Sequence, residues 1–159
     1  PSIRELELYY RNVSKPINIA LSKPATASNS HPACPVSDIN DGNPSESSRW
    51  AASDSTLPAW VEIDLGTPTR VNTLVLSENI VPEWATARIS EFALQKWNGS
   101  AFETVFTFQG TIGDEHIFKF DTIESEKVRI LISALRPDTS INSAGQTDPS
   151  LTEIELYCY

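Results

Sequence analysis

The sequence predicts an all-β sandwich or barrel. Three observations point there: short runs that alternate apolar and polar residues, turns bearing Gly and Pro between them, and no capped amphipathic stretch longer than two helical turns. Val61–Leu65 alternates strictly and meets Gly66 and Pro68, which predicts a strand that ends there. Arg70–Leu76 and Phe102–Phe108 are rich in β-branched and aromatic residues and supply the next candidates. Glu115–Asp121 sets His116, Phe118 and Phe120 on one face, so His116 reads as a packing partner of those rings. In Lys127–Leu135 the inward set is Val128, Ile130 and Ile132. Leu151–Tyr157 closes the chain, with Ile154 and Leu156 opposite Leu151, Glu153, Glu155 and Tyr157. Ala87–Trp97 is ambiguous, because Ile89, Phe92, Ala93 and Trp97 also fit a helical face. The Asn98-Gly99 pair behind it, with a strand following, signals a hairpin and assigns Ile89–Trp97 to a strand. Trp50 and Trp60 flank strands and read as core.

A chain of 159 residues is the size of one domain or two small ones and needs no staple merely to fold. The 12 basic and 21 acidic residues give −9, and without a basic stripe a nucleic-acid partner is excluded. No apolar run approaches the ~20 residues of a spanning helix. Methionine is absent even at position 1, which points to a processed product or a piece of a longer polypeptide. Cys34 and Cys158 lie far apart and leave pairing open.

One internal repeat stands out. PSIRELELYY (1–10) and PSLTEIELYC (149–158) share six of ten positions, with two further Ile/Leu exchanges. The repeat is either a chance match between two amphipathic strands or a sign that the 1–16 linker carries the last strand of a preceding copy, with a domain proper over 17–159. Pro16–Pro58 is rich in Ser, Pro, Asn and Ala, and Arg136–Pro149 is a second irregular stretch; long loops on a β scaffold commonly carry function.

Four phrases occur in order: Asn18-Ile19-Ala20 running to Lys23-Pro24-Ala25-Thr26-Ala27-Ser28, Asn40-Asp41-Gly42-Asn43 with Arg49-Trp50, Trp60-Val61-Glu62-Ile63-Asp64-Leu65-Gly66, and Glu153-Ile154-Glu155-Leu156-Tyr157. Together they resemble the discoidin family, also called F5/8 type C. The closest branch is the carbohydrate-binding one, family 32 of the carbohydrate-binding modules, as appended to bacterial exo-glycosidases such as α-L-fucosidases and β-hexosaminidases. The resemblance implies a jelly-roll β-sandwich of the galactose-binding-domain type. It also implies a structural Ca²⁺ joining the N- and C-terminal regions. Carried over residue by residue, Asp41, Ser48 and Glu153 give side-chain oxygens, while Ile39 and Asn43 or a neighbour give carbonyls. Such a hard cation takes six to eight oxygens. This sequence departs from the pattern through a longer loop between Asp41 and Trp50, with Ser48 where Thr is usual.

Related modules place ligand contacts on loops at one end of the sandwich, which here selects His31, Glu78, Asn79, Trp84, Arg88 and Asn142, with Trp50, Arg136 and Gln146 nearby. Trp84 has few apolar neighbours in Pro82–Thr86 and suits stacking on a sugar ring. His31 reads either as a solvated loop residue or as a contact. Arg88 either clamps hydroxyls or pairs with Glu91. No GxSxG or HExxH motif occurs and no Cys-His pair is recognisable, so the chain reads as non-catalytic.

The expectation is therefore a monomeric module that binds glycans ending in galactose, N-acetylhexosamine or fucose. It would tether a larger secreted, periplasmic or surface-bound glycosidase, with the other domains of the same polypeptide as partners. A protein- or cell-surface-binding adhesion domain and a ligand-free spacer are the alternatives. For the lipid-binding variant, two Glu against one Arg across Glu78–Arg88 and the acidic balance are unfavourable.

Overall fold

The structure, a computed structural model, describes residues 16–81, 86–136 and 148–159. Among these residues the elements are strands and one 3-10 turn: β1 (Ala25–Ala27), the turn Val36–Asp38, β2 (Trp50–Ala51), β3 (Ala59–Glu78), β4 (Ile89–Trp97), β5 (Phe102–Gln109), β6 (His116–Leu135) and β7 (Ser150–Tyr157). Every pairing between strands is antiparallel, in the order β2-β7-β3-β6-β4-β5, with β1 on β3.

The two 20-residue strands, β3 and β6, organise the jelly-roll sandwich. Their mutual register shifts between Asp64 and Thr69. Before the shift, β3 pairs with β1 on one side and the second half of β6 on the other, and β4 and β5 extend that layer. After it, β3 pairs with β7 and the first half of β6. Phe92 of the first layer meets Phe118 of the second edge-on at 5.2 Å, and Phe106 and Phe108 complete the ring cluster. Trp50, Ile39, Leu151 and Ile154 are fully buried.

Gly66 and Pro68 do not end the strand begun at Val61, as the sequence led us to expect. Gly66 takes φ +84° and its N–H donates to Asp64 Oδ1 at 2.8 Å, forming a bulge. Pro68 is exposed within the irregular stretch, so its missing N–H breaks no ladder bond. The Arg70–Leu76 run is thus the continuation of the same strand, and 116–121 and 127–135 are likewise parts of β6, which leaves out Glu115.

Ile89–Trp97 is a strand, joined to β5 across Trp97 and Phe102. Asn98 holds the turn: its Oδ1 accepts the N–H groups of Ser100 and Ala101, both at 2.9 Å. Trp60 is half-buried on the outer face rather than in the core, because strict alternation sends Val61 and Ile63 inward. Arg129 covers it, with its guanidinium 4.6 Å from the Trp60 ring and 3.7 Å from Phe102, while donating to Glu62 at 3.0 Å. His116 stacks on Phe118 at 4.4 Å, as a packing residue does. Cys34 is buried and Cys158 exposed, and both are free thiols. The domain's start lies beside its end: Ile19 N–H donates to the Leu156 carbonyl at 2.8 Å, and Leu156 N–H to Asn18 Oδ1 at 3.1 Å. Residues 1–10, the first half of the repeat, lie outside the described residues.

Candidate functional site

The antiparallel order brings the end of β3 and the starts of β2, β4 and β7 to one pole of the sandwich. A cavity of ≈ 120 Å³ opens there. Arg49 just before β2, Asn79 just after β3, Arg88 just before β4 and Ser150 at the head of β7 line it, together with His31, Cys34 and Asp148.

His31 and Arg88 are fixed by their neighbours. His31 bridges to Cys34, and its N–H donates to the Ala51 carbonyl at 2.8 Å. Its Nδ1 accepts the Ala33 N–H at 3.2 Å, so a neutral ring carries its proton on Nε2 and offers a donor there. Arg88 is 8% exposed. Its guanidinium donates to the Asp148 carbonyl at 2.9 Å, and its own carbonyl accepts the Arg136 N–H at 2.8 Å. It makes no pair with Glu91, whose carboxylate is taken by Ser133 and Gln109. Two guanidinium forks, an imidazole, an amide and a hydroxyl around one small concavity suit adjacent oxygens on a neutral, hydroxyl-rich ring.

Glu78 takes a different part from the ligand contact expected of it. The side chain is buried and is not among the cavity-lining residues. Oε1 accepts the N–H groups of Arg88 at 2.8 Å and Ile89 at 2.9 Å, and Oε2 accepts that of Gly113 at 3.2 Å. Burial raises its pKa, opposed by those three amides and by Arg136. Glu78 is thus a clamp that sets the backbone of Arg88. Trp84 and Asn142, together with Gln146, lie outside the described residues. Trp50 is core, with its indole N–H donating to the Asn29 carbonyl at 3.0 Å.

Ile39, Asp41, Asn43, Ser48 and Glu153 come together away from this cavity. Ser48 Oγ donates to Asp41 Oδ2 at 2.5 Å, and the Asn43 N–H to Asp41 Oδ1 at 2.8 Å. Gly42, at φ +83°, turns its N–H toward both Glu153 oxygens, at 3.3 and 3.2 Å. The Ile39 carbonyl accepts the Ile154 N–H at 2.7 Å, tying the loop to β7. Glu153 is buried, and its pKa is pushed up to about 8 by desolvation, with Asp41 and Glu155 adding like-charge repulsion against the opposing amides. Two carboxylates, a hydroxyl and nearby carbonyls are oxygen donors of the kind a hard divalent cation takes. Among the described residues no three His, Cys, Asp or Glu side chains cluster, so a cation here would rely on neutral oxygens for much of its shell.

Sequence reasoning passed over Arg49, Asp148 and Ser150 as lining residues. The signal for Arg49 was its place beside Trp50: with Trp50 turned into the core, its neighbour must face elsewhere.

Residues 38–130 match the family described as NedA-like, galactose-binding domain, of the F5/8 type C group. Chitosan-binding module 1 of a chitosanase/glucanase from Paenibacillus sp. IK-5 superposes with a TM-score of 0.73 at 27% identity, covering 91% of this chain and 100% of that one. A Clostridium perfringens module, CpGH89CBM32-4, in complex with GlcNAc-α-1,4-galactose, gives 0.67 at 23% identity over 91% and 96% of the two chains. SpGH29 gives 0.70 at 24% identity over 89% of this chain, which spans only 28% of that protein. No curated protein matches significantly.

Proposed function

Because this chain belongs to the F5/8 type C family of NedA-like, galactose-binding domains, we propose that it is a non-catalytic carbohydrate-binding module that holds a non-reducing terminal sugar in the cavity between His31, Arg49, Asn79 and Arg88. The carrying observation is the convergence of those four polar side chains from separate segments on one concavity at a loop pole. Galactose, N-acetylhexosamine and fucose ends are the ligand classes, and the parent is a secreted, periplasmic or surface-bound glycosidase that the module keeps near its glycan. Similarity to modules that are named for chitosan or complexed with a GlcNAc-galactose disaccharide supports the sugar class.

Recognition rests on this chain's own groups. The Arg88 fork, fixed by the Asp148 carbonyl and the Glu78 clamp, offers its free N–H groups to adjacent hydroxyls. His31 Nε2–H donates and Asn79 both donates and accepts. A small contact on one sugar gives weak binding, with Kd of order 0.1–1 mM. The oxygens of Asp41, Ser48, Glu153, Ile39 and Asn43 fit a structural Ca²⁺, which would bind the loop before β2 to β7 and lies outside the sugar contact.

Calorimetric titration with methyl galactosides, N-acetylglucosamine, N-acetylgalactosamine and fucose tests the reading. Saturable heat with one of them, lost in Arg88→Ala, is the expected result; no heat with any of them, from a folded chain, overturns it.

A further inference from the structure

The C-terminal copy of the repeated segment ends, at Tyr157, on an exposed apolar groove beside the point where the chain enters the domain. The six positions that 1–10 shares with 149–158 fall on Pro149, just before β7, and on Ser150, Glu153, Glu155, Leu156 and Tyr157 within it. Five of these have a defined place in the fold. Ser150 Oγ donates to the Trp50 carbonyl at 2.9 Å, Glu153 receives the Gly42 N–H, Leu156 is fully buried, and Tyr157 Oη donates to Glu155 at 2.9 Å. A segment that keeps Ser2, Glu5, Glu7, Leu8 and Tyr9 at the same spacing has the side chains of that slot. In this domain the slot between β2 and β3 already holds β7.

The patch lies at the other end of the connection. Ile17, Ile117 and Tyr159 are 83%, 54% and 72% exposed and are three of the five large hydrophobics exposed among the described residues. Pro16, Ile117, Tyr157 and Tyr159 line a groove of ≈ 300 Å³, with Glu115 and Glu155 also lining it. Apolar surface gathered in one place marks an interaction site. Only six residues, 11–16, separate the repeat from the domain, and fully extended they span roughly 20 Å. They include Arg11 and Lys15 and no acidic residue, opposite in charge to Glu115 and Glu155.

We propose that residues 1–10 carry the sequence of the last strand of a preceding copy of this domain in the parent polypeptide, and that this copy docks on the groove lined by Pro16, Ile117, Tyr157 and Tyr159. A connection of only six residues keeps that copy within reach of the groove. Consecutive copies then form a fixed pair whose two sugar sites keep a set spacing, the geometry on which avidity depends.

The test uses the full-length parent. Its sequence upstream of Pro1 should contain an Asn-Asp-Gly-Asn-type loop followed by a Trp-x-Glu-Ile-Asp-Leu-Gly-type strand, at an offset near 148 residues. Hydrogen exchange at residues 17–19 and 157–159 should be at least tenfold slower in the parent than in the 159-residue chain. The Ile117→Ser/Tyr159→Ser double variant of the parent should lose that difference while exchange in β4 stays unchanged. No such domain upstream, or equal exchange in both proteins, overturns the proposal. Dimerisation of the 159-residue chain through this patch, reversed by Ile117→Ser, would assign the patch to a separate copy and also overturn it.

Discussion

Removing the Glu78 carboxylate would strip three backbone N–H groups of their acceptor, one of them that of the cavity-lining Arg88. The donors are Arg88 and Ile89, at 2.8 and 2.9 Å on one oxygen, and Gly113, at 3.2 Å on the other. A buried donor left without a partner costs about 1–3 kcal/mol. The sum is reduced because the 4%-exposed carboxylate is itself expensive to bury, as its raised pKa records. Glu78→Ala should therefore lose about 3 kcal/mol net, equivalent to a fall of roughly 6–12 °C in Tm for a chain of this size. Glu78→Gln keeps one oxygen for Arg88 and Ile89 but turns an N–H₂ toward the Gly113 N–H, so a loss of about 1–2 kcal/mol is expected. The sign with pH is fixed too. A carboxyl whose folded pKa is raised stabilises the fold least when ionised, so its contribution declines as pH rises from the unfolded value through the folded one. Glu78→Gln should remove that part of the pH dependence. Guanidinium melts read at two pH values check all three outcomes. A Glu78→Ala midpoint matching the unaltered chain would refute the clamp.

Further outcomes follow from the same contacts. Ca²⁺ should raise Tm, and Asp41→Asn or Glu153→Gln should abolish the increment; in chelator, stability should decline as pH rises from about 4.5 to about 8 through the Glu153 carboxyl, and Ca²⁺ should flatten that decline. Thiol titration should find two reactive sulfurs in denaturant, with Cys158 reacting at once in the native chain and Cys34 much more slowly. Phe92→Ala empties the centre of the ring cluster and should cost about 3–5 kcal/mol without changing the ligand specificity of the folded fraction.

Much of the fold was legible because each sheet face has a period of two. Val61, Ile63, Val128, Ile130 and Ile132 announce their buried side directly. What local reading missed was set by pairing across the sheet. Gly66 and Pro68 look like a stop, yet β6 holds the chain in line on both sides of the bulge. The helix-like pattern of Ile89–Trp97 is overridden by pairing with both β5 and β6. At the site, His31, Asn79 and Arg88 could be nominated from their loops and the family resemblance. The role of Glu78 was not legible, since its three amide donors come from a strand start ten residues on and a turn thirty-five residues on. Arg49 and Ser150 reach the cavity only because β2 pairs with β7, a contact a hundred residues apart.

The most direct test of the central claim is a titration that follows the amide signals of Asn79 and Arg88, the His31 ring signals and the Arg49 side chain by NMR as galactose, N-acetylglucosamine, N-acetylgalactosamine and fucose are added in turn. The account predicts saturable shifts centred on these four residues with at least one sugar, lost in Arg88→Ala and retained at reduced affinity in Arg49→Lys. Shifts centred elsewhere on the sandwich, or none with any of the four sugars, would contradict it.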